Sequence, residues 1–476
     1  MISQPKNNMV IILKNLSLTA IVIGLVAVLV FLIQGWTVDQ EGKPVQSGLV
    51  QFATNLTGST VKINGSELSE KTGTKTLLSP GEYKFQLSRE GYENWGRTAK
   101  VKAGGILWLN YARLVPKQKK LDSFFDLQNL RTVKFAKSQK RGIAISEATN
   151  GDVKFWLFEL GNTPKITELA LPEKIFGSVN PETPEHNPLN GISSQLAIDS
   201  LSENADKMIL RRNGSAKTEW IFVDTNNTSN SLNLTEKFGT DFTQIVARDK
   251  SFSRFYVLAN NELRELNVNE ATISANLVDN IVGIKNYNEN VLALVQHQQE
   301  KFAVGIYEQG KNIAWVAQNL VSQPQVAIGR YYGDNYIHVV SGEQFISYKG
   351  KDWFGANQPK KHLAQKLDFN VSDVSLNSEM RMVKLSNDSQ TTILDLETDE
   401  FVEIKTNNLR WLDNFILYNF ENGKITMRDF NGLNKYELMS VSADFSITLS
   451  EDEKFIYTWT QEPSGNFKLI RLKMVL

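Results

Sequence analysis

Histidine and cysteine are the side chains that most often bind metals or act in catalysis, and this chain has few of them. It contains four histidines, His186, His297, His338 and His362, and no cysteine among 476 residues. No two histidines have the spacing of an H-E-x-x-H zinc helix. The absence of cysteine excludes disulfides, thiol nucleophiles, iron–sulfur clusters, cysteine zinc sites and an acylated lipoprotein anchor. We therefore predict no metal site and no cofactor.

One segment nearly fits a phosphate-binding loop. Residues 91–98 read G-Y-E-N-W-G-R-T, against the pattern G-x-x-x-x-G-K-[ST]. Arg97 stands in place of the lysine, and no helix follows whose N-terminus would offer amides to a phosphate. We interpret the segment as a turn between two strands.

Catalytic motifs are incomplete. Ser450-Glu-Asp452, followed by Thr458-Trp459, is superficially similar to the turns of propeller glycosidases, but the spacing differs and the glycine is missing. A G-x-S-x-G nucleophile elbow is also absent. Carboxylates are abundant, but one sequence does not pair them. We predict no catalytic residue and a protein that is not an enzyme.

Three residues are candidates for ligand contact. Tyr92 and Trp95 would stack on sugar rings if exposed, and a role in the core is an equally open alternative. His186 lies in a proline-rich segment, residues 171–194, and is expected to be exposed. Long irregular insertions often carry binding, although a purely decorative loop is the alternative.

The N-terminal region has the composition of a membrane anchor. Residues 15–38 carry no charge and are mostly apolar, which is enough for a helix to cross a bilayer. Lys6 and Lys14 precede this span, so the positive-inside rule places residues 1–14 in the cytoplasm. A cleaved signal peptide is the alternative, but no small-x-small cleavage site follows the apolar run. Residues 39–47 are predicted to be a polar linker.

A small β module is predicted for residues 48–117. Apolar and polar residues alternate in five short runs, separated by turn dipeptides such as Asn64-Gly65 and Pro80-Gly81. We expect antiparallel neighbours. Thr60-Val-Lys-Ile-Asn-Gly65, Leu78-Ser-Pro-Gly-Glu-Tyr-Lys-Phe85 and Gly91-Tyr-Glu-Asn-Trp95 resemble the motifs of the PEGA domain. The resemblance implies a β-sandwich that serves as a binding or spacer module on envelope proteins.

The remaining region, residues 118–476, is predicted to be a large array of β-sheets. Short apolar strands alternate with polar turns, and turns near residues 139, 204, 251, 289, 333, 379, 413 and 452 recur at intervals close to 40 residues. Such a period predicts a β-propeller, with eight blades favoured and seven possible. The turn Leu449-Ser-Glu-Asp-Glu-Lys454 resembles those of Tol-associated and WD-like propellers. Residues 122–127 could supply a strand that the last unit lacks.

Charge and architecture together limit the function. The chain has 52 basic and 52 acidic residues, and this balance argues against nucleic acid as a partner. We expect a single-pass bacterial membrane protein with its bulk outside the cytoplasm. It would contact the bilayer through residues 15–38 and bind an envelope protein or a cell-surface glycan without catalysis. The alternatives are a glycan hydrolase working at the propeller mouth and a structural subunit of a surface layer or secretion assembly.

Overall fold

Two units divide the chain in the computed structural model, which describes residues 6–33, 35–38, 42–176, 192–214 and 217–475. The first unit covers the described residues up to Gln118 together with Val475, and the second covers Lys119–Met474. Strands dominate both units, so the mainly β fold expected from the sequence is confirmed.

The first unit begins with a long apolar helix, α1 (Lys6–Ile33). Residues Leu13–Phe31 are long and apolar enough to span a membrane, and this window is not buried inside the protein. The helix ends earlier than the uncharged segment, because Gly35 has a left-handed φ of 73° and the chain then becomes extended. Trp36–Val38 and Pro44–Gln46 form a short antiparallel pair, so part of the predicted 39–47 linker is a strand.

The small module that follows contains two sheets. In the four-stranded sheet the order is Ser66–Lys71, Thr60–Ile63, Gly81–Ser88 and Trp95–Val101. In the three-stranded sheet the order is Thr74–Leu78, Gly48–Thr54 and Ile106–Ala112. The core contains fully buried side chains from both sheets, including Phe52 and Phe85. One pairing differs from expectation: Gly48–Thr54 and Ile106–Ala112 run parallel, because the chain reaches the second of them only after crossing to the other sheet.

The second unit contains eight four-stranded antiparallel sheets among its described residues, numbered here in chain order. In the first seven, four consecutive strands lie side by side. The strands are, in sheet 1, Leu130–Phe135, Arg141–Glu147, Val153–Glu159 and Lys165–Leu169; in sheet 2, Leu196–Leu201, Lys207–Asn213, Thr218–Asp224 and Leu232–Asn233; in sheet 3, Phe242–Ala247, Arg254–Ala259, Glu262–Asn267 and Thr272–Ile273; in sheet 4, Ile281–Asn286, Val291–Gln298, Lys301–Glu308 and Ala314–Leu320; in sheet 5, Gln325–Tyr331, Asp334–Ser341, Gln344–Gly350 and Lys360–Lys366; in sheet 6, Asp373–Leu376, Met382–Ser386, Thr391–Asp395 and Glu400–Ile404; in sheet 7, Arg410–Trp411, Ile416–Glu421, Lys424–Asp429 and Tyr436–Ser440; and in sheet 8, Thr448–Leu449, Phe455–Gln461, Phe467–Lys473 and Leu121–Leu127.

Each of the eight predicted turns lies between the first and second strands of one sheet. In three of these turns, a polar side chain at the start accepts a hydrogen bond from the backbone amide five residues later. Ser202 accepts from the Lys207 amide at 3.0 Å, Asn377 from Met382 at 3.0 Å, and Ser450 from Phe455 at 3.0 Å. This bond satisfies an amide that the turn would otherwise leave unpaired, which explains the repeated sequence signature.

The last sheet joins the two ends of the second unit. Leu121–Leu127 pairs antiparallel with Phe467–Lys473, with Asp122 opposite Arg471 and Ser123 opposite Ile470. The strand predicted to be missing from the last unit is therefore supplied from the start of the unit.

Apolar side chains fill the space between successive sheets. Sheets 2 and 3 share a cluster around Phe222 and Phe255, and sheets 5 and 6 share one around Phe345. Sheet 8 packs against sheet 1, where the fully buried rings of Trp459 and Phe158 meet edge to face at 5.7 Å. The sheets that these clusters join are neighbours in chain order, and the last sheet contacts the first.

The predicted insertion at 171–194 is described only at its two ends. Glu173–Phe176 and Ser193–Gln195 are 3₁₀ turns, and the Phe176 ring stacks on Phe155 at 5.7 Å. Residues 177–191 lie outside the described residues. Two other short helical segments are Thr228–Asn230 and α2 (Leu234–Phe238), which Asn233 caps by accepting from the Glu236 amide.

Candidate functional site

The aromatic residues considered for sugar stacking lie in the core of the small module. Trp95 is 0% exposed and Tyr92 is 4% exposed. The Trp95 ring packs edge to face on Tyr111 at 5.8 Å. Neither ring presents a face to solvent, so the structure gives both the core role that the sequence had left open. His186, the third candidate, lies outside the described residues.

The segment that nearly fits a phosphate loop is a turn leading into a strand. Tyr92 forms an isolated antiparallel bridge with Pro116, and the strand Trp95–Val101 begins within the motif. Since an anion site of this type needs a helix N-terminus, the geometry agrees with the interpretation as a turn between strands.

The described histidines lie in three different surroundings. His338 is fully buried in sheet 5 between the rings of Tyr336 and Phe345, and burial lowers its pKa to about 3. His362 lies 3.2 Å from Asp399, and His297 packs on Phe302 at 4.8 Å. Within the described ranges, no group of three or more His, Asp or Glu side chains has the geometry to hold a metal ion.

A polar cleft opens between the first turns of sheets 3 and 4. We call it the Arg248 cleft. It has a volume of about 500 Å³ and is lined by residues 247–250 and 286–290. Two further cavities, of about 500 and 330 Å³, also border Arg248. Arginine, lysine, carboxylate and amide side chains therefore line three cavities that share Arg248.

Arg248 is held rigidly at the centre of this region. Its guanidinium lies 2.6 Å from a Glu265 carboxylate oxygen and donates to the Glu289 carbonyl at 2.6 Å. It also stacks over the Tyr256 ring, 5.3 Å from the centroid. Arg248 lies in the first turn of sheet 3 and binds both the third strand of that sheet and the first turn of sheet 4, so the two walls of the cleft are fixed relative to each other.

Two buried oxygens near Arg248 lack a hydrogen-bond partner among the described residues, the Tyr256 hydroxyl and Asn286 Oδ1. Burial raises the pKa of Tyr256 to about 12, so this hydroxyl remains a donor. Asn286 Nδ2 donates to the Ala247 carbonyl at 2.7 Å, which orients the amide across the cleft wall.

Asp249 fixes the conformation of the first turn of sheet 3. Burial alone would raise the pKa of its carboxyl, but hydrogen bonds from Ser253 and Ser251 outweigh burial and hold the pKa low. The carboxylate accepts from the Ser253 amide at 2.9 Å and from the Ser251 hydroxyl at 3.0 Å. The cleft thus combines a fixed cation, fixed carboxylates and amide groups, which suits hydrogen bonding to a polar ligand.

This cleft was not predicted from the sequence. The run Asn286-Tyr-Asn-Glu-Asn290 is unusually rich in amides and was a visible clue. Its partner, Arg248, lies on a different sheet, and no periodicity in a single sequence pairs residues across two sheets.

Comparison with known proteins identifies one family within the chain. Residues 47–118 match the PEGA domain, which confirms the resemblance predicted for this module. No curated protein matches the chain.

Solved structures share a limited likeness with the chain. Dipeptidyl peptidase 4 of Porphyromonas gingivalis is 9% identical with a TM-score of 0.44, over 71% of this chain and 57% of that one. An uncharacterized protein of Listeria monocytogenes EGD-e is 11% identical with a TM-score of 0.41, over 69% of this chain and 100% of that one. The dihydro-heme d1 dehydrogenase NirN is 12% identical with a TM-score of 0.42, over 65% and 66%. With TM-scores below 0.5, these likenesses assign no activity to the present chain.

Proposed function

We propose that the chain is a membrane-anchored, extracytoplasmic binding protein of the cell envelope that performs no catalysis. The observation that carries this proposal is an apolar helix, Leu13–Phe31, joined in one unit to a module that matches the PEGA domain. The helix would hold the chain in the bilayer as an uncleaved signal anchor, and Lys6 and Lys14 favour a cytoplasmic N-terminus. The PEGA module would act as a spacer or wall-contact unit.

We further propose that the second unit is an eight-bladed β-propeller of the Tol-associated or WD-like type. Eight consecutive four-stranded sheets, packing in chain order and from the last to the first, support this arrangement. A sheet shared between the two ends of the unit would close such a ring, so that only short, protected edges remain. A closed ring leaves no unpaired end sheet, which suits a rigid platform for binding.

The proposed ligand site is the Arg248 cleft, and the proposed ligand is an envelope glycan, with a protein segment as the alternative. Its fixed arginine, carboxylates and asparagine amides match the alternating donors and acceptors of sugar hydroxyls. A cleft of about 500 Å³ is large enough for one or two sugar rings.

Membrane topology is tested by single cysteines, since the native chain has none. Ser3→Cys and Leu433→Cys variants would be made in the full chain and treated with a membrane-impermeant maleimide in intact spheroplasts. We expect label at position 433 only, and label at position 3 after lysis. Label at position 3 alone in intact cells, or a chain that alkaline carbonate extracts from membranes, would overturn the proposed anchor.

Ligand binding is tested with the full chain in nanodiscs and soluble fragments of cell-wall glycan. Asn290→Ala removes an exposed amide from the cleft, and Asn226→Ala removes a comparable exposed amide from a turn elsewhere. Loss of one hydrogen bond should weaken binding by about fivefold for Asn290→Ala only. Equal affinities for both variants would exclude the cleft as the glycan site.

One observation favours the alternative of a glycan hydrolase. Lys134 and Asp199 lie on the first strands of sheets 1 and 2, and Lys134 Nζ donates to the Ile198 carbonyl at 3.2 Å. Burial raises the pKa of Asp199, against the opposing effect of Lys134 and Arg211, and burial lowers the pKa of Lys134. A carboxyl with a raised pKa suits a general acid.

Turnover of wall glycan by the full chain, abolished by Asp199→Asn, would establish the hydrolase and overturn the non-catalytic proposal. The matched control is Asp152→Asn, a half-buried carboxylate in the turn between the second and third strands of sheet 1.

A further inference from the structure

The outer face of the three-stranded sheet in the PEGA module carries an apolar row. Leu49 is in register with Leu77 on one neighbouring strand and with Ile106 on the other. Residues in register point to the same face. Leu77 is 50% exposed and Ile106 is 52% exposed, and they are the two exposed large apolar side chains among the described residues 42–118. They flank Leu49 in one row across the sheet and so belong to one apolar patch.

This row lies at the end of the module that adjoins the helix. The Ser47 amide donates to the Gly35 carbonyl at 2.8 Å, and Gly35 follows the last residues of α1. The Gly104 amide donates to the Ser47 carbonyl at 3.2 Å, which brings the start of the Ile106 strand to the same place. Leu49 is two residues beyond Ser47, or about 7 Å along an extended strand.

The outward side chains become more polar with distance from the helix. The next row on this face, farther along the strands from the helix, contains Lys75, Gln51 and a half-buried Trp108, which are again in register. Beyond it lies the exposed Asn110. The same order is found across the interface of a bilayer. Aliphatic side chains lie at the edge of the hydrocarbon, tryptophan and lysine come next, and polar amides lie on the water side.

We infer that the row Leu49, Leu77 and Ile106 is a second membrane contact, which inserts into the outer leaflet beside the helix. This inference rests on the proposed membrane anchor and adds to it a lipid-facing surface on the PEGA module. Burial of the row among acyl chains would remove the apolar surface from water and fix the orientation of the module relative to the bilayer. Lys75 and Trp108 would then lie among the headgroups.

The test uses the full chain reconstituted in vesicles of phosphatidylethanolamine and phosphatidylglycerol. Leu77→Cys and Ile106→Cys variants would each carry a single environment-sensitive fluorophore, and the vesicles would contain lipid with a spin label at carbon five of the acyl chain as the quencher. Glu90→Cys is the matched control. It is exposed in the loop where Arg89 donates to the Thr57 carbonyl at 2.6 Å, beyond the opposite end of the Gly48–Thr54 strand.

We expect fluorescence at positions 77 and 106 to fall by roughly half with the quencher lipid, since the labels would lie within about 10 Å of the acyl boundary, and little change at position 90. Membrane-inserted protein with no quenching at 77 and 106 overturns this inference and leaves the anchor intact. A blue-shifted emission without quenching overturns it too, because protein would then cover the row. Chain that fails to float with the vesicles overturns the anchor and this inference together.

Discussion

At the scale of single residues, the most unusual environment is that of the His338 side chain. Its imidazole is fully buried, and both ring nitrogens lack a hydrogen-bond partner among the described residues. The flanking rings of Tyr336 and Phe345 lie within 15° of parallel to it. The His338 imidazole therefore packs as one ring of an aromatic stack, and it also carries a titratable group.

His338 should make folding sensitive to acid. Burial lowers its pKa to about 3 in the folded chain, whereas an unfolded histidine titrates near 6.5. Below pH 6.5 the unfolded state therefore binds a proton that the folded state does not, and stability falls by up to about 1.4 kcal/mol per pH unit until about pH 3.

His338→Phe keeps the stack and removes the titration. Between pH 7 and pH 4.5 the native chain should lose roughly 2–3 kcal/mol more than this variant in urea unfolding. The exposed His297→Phe is the control and should follow the native chain. A similar pH response in the native chain and the His338 variant would contradict the expectation.

At the scale of elements, the strand Leu121–Leu127 depends on one side chain of its neighbour. Arg471 contacts Asp122 at 2.6 Å and donates to the carbonyls of Gly161 at 3.0 Å and Asn162 at 2.8 Å. Its guanidinium also lies over the Phe455 ring at 4.5 Å. A single planar cation therefore connects the closing strand, sheet 8 and sheet 1.

Arg471→Met should destabilise the second unit by about 2–3 kcal/mol, because several charge-assisted hydrogen bonds are lost together. The stability of Arg471→Lys should lie between that of the native chain and that of Arg471→Met. A lysine ammonium keeps the charge but cannot make the several directed hydrogen bonds of a guanidinium. Lys468→Met, on the same strand, removes a partly exposed ion pair with Glu462 and should cost less than about 1 kcal/mol. Chemical unfolding measures all three, and equal losses for Arg471→Met and Lys468→Met would refute the special role of Arg471.

Local chemistry explains which elements were predictable from sequence. The turns at Ser202, Asn377 and Ser450 were found because a side chain in the turn itself closes it. The end of α1 at Ile33 was not predictable, because the absence of charge through Val38 does not reveal the left-handed φ of Gly35. The burial of Trp95 and the Arg248 cleft both depend on which sheets face each other. The alternation of apolar and polar residues along a strand reveals its two faces but does not identify the neighbouring strands.

At the scale of the whole second unit, the two ends of its chain lie in one sheet, and the unit lacks cysteine for any crosslink. Stability must therefore come from packing between successive sheets. Sheet 8 has its closing strand from one end of the unit and its remaining three strands from the other.

Removal of residues 455–476 should abolish cooperative unfolding of the second unit instead of lowering its stability by one eighth, because Leu121–Leu127 then loses its partner strand and sheet 1 loses Trp459. Tryptophan fluorescence in urea measures the transition. Insertion of Gly-Ser-Gly after Ser464, in the hairpin between the last two strands, is the control and should leave the transition sharp. A sharp native-like transition in the truncated chain would show that the two ends need not pair.

The position of the closing strand has a mechanical consequence. Leu121–Leu127 is the first strand after the module that follows α1, so tension transmitted along the chain from an anchor enters the second unit there. Pulling on Leu121 would peel an edge strand from Phe467–Lys473 one pair at a time, beginning with Leu121 and Leu472. The next pair is Asp122 and Arg471, whose side chains form an ion pair at 2.6 Å. The ion pair between Asp122 and Arg471 therefore lies at the point where tension would begin to open the second unit.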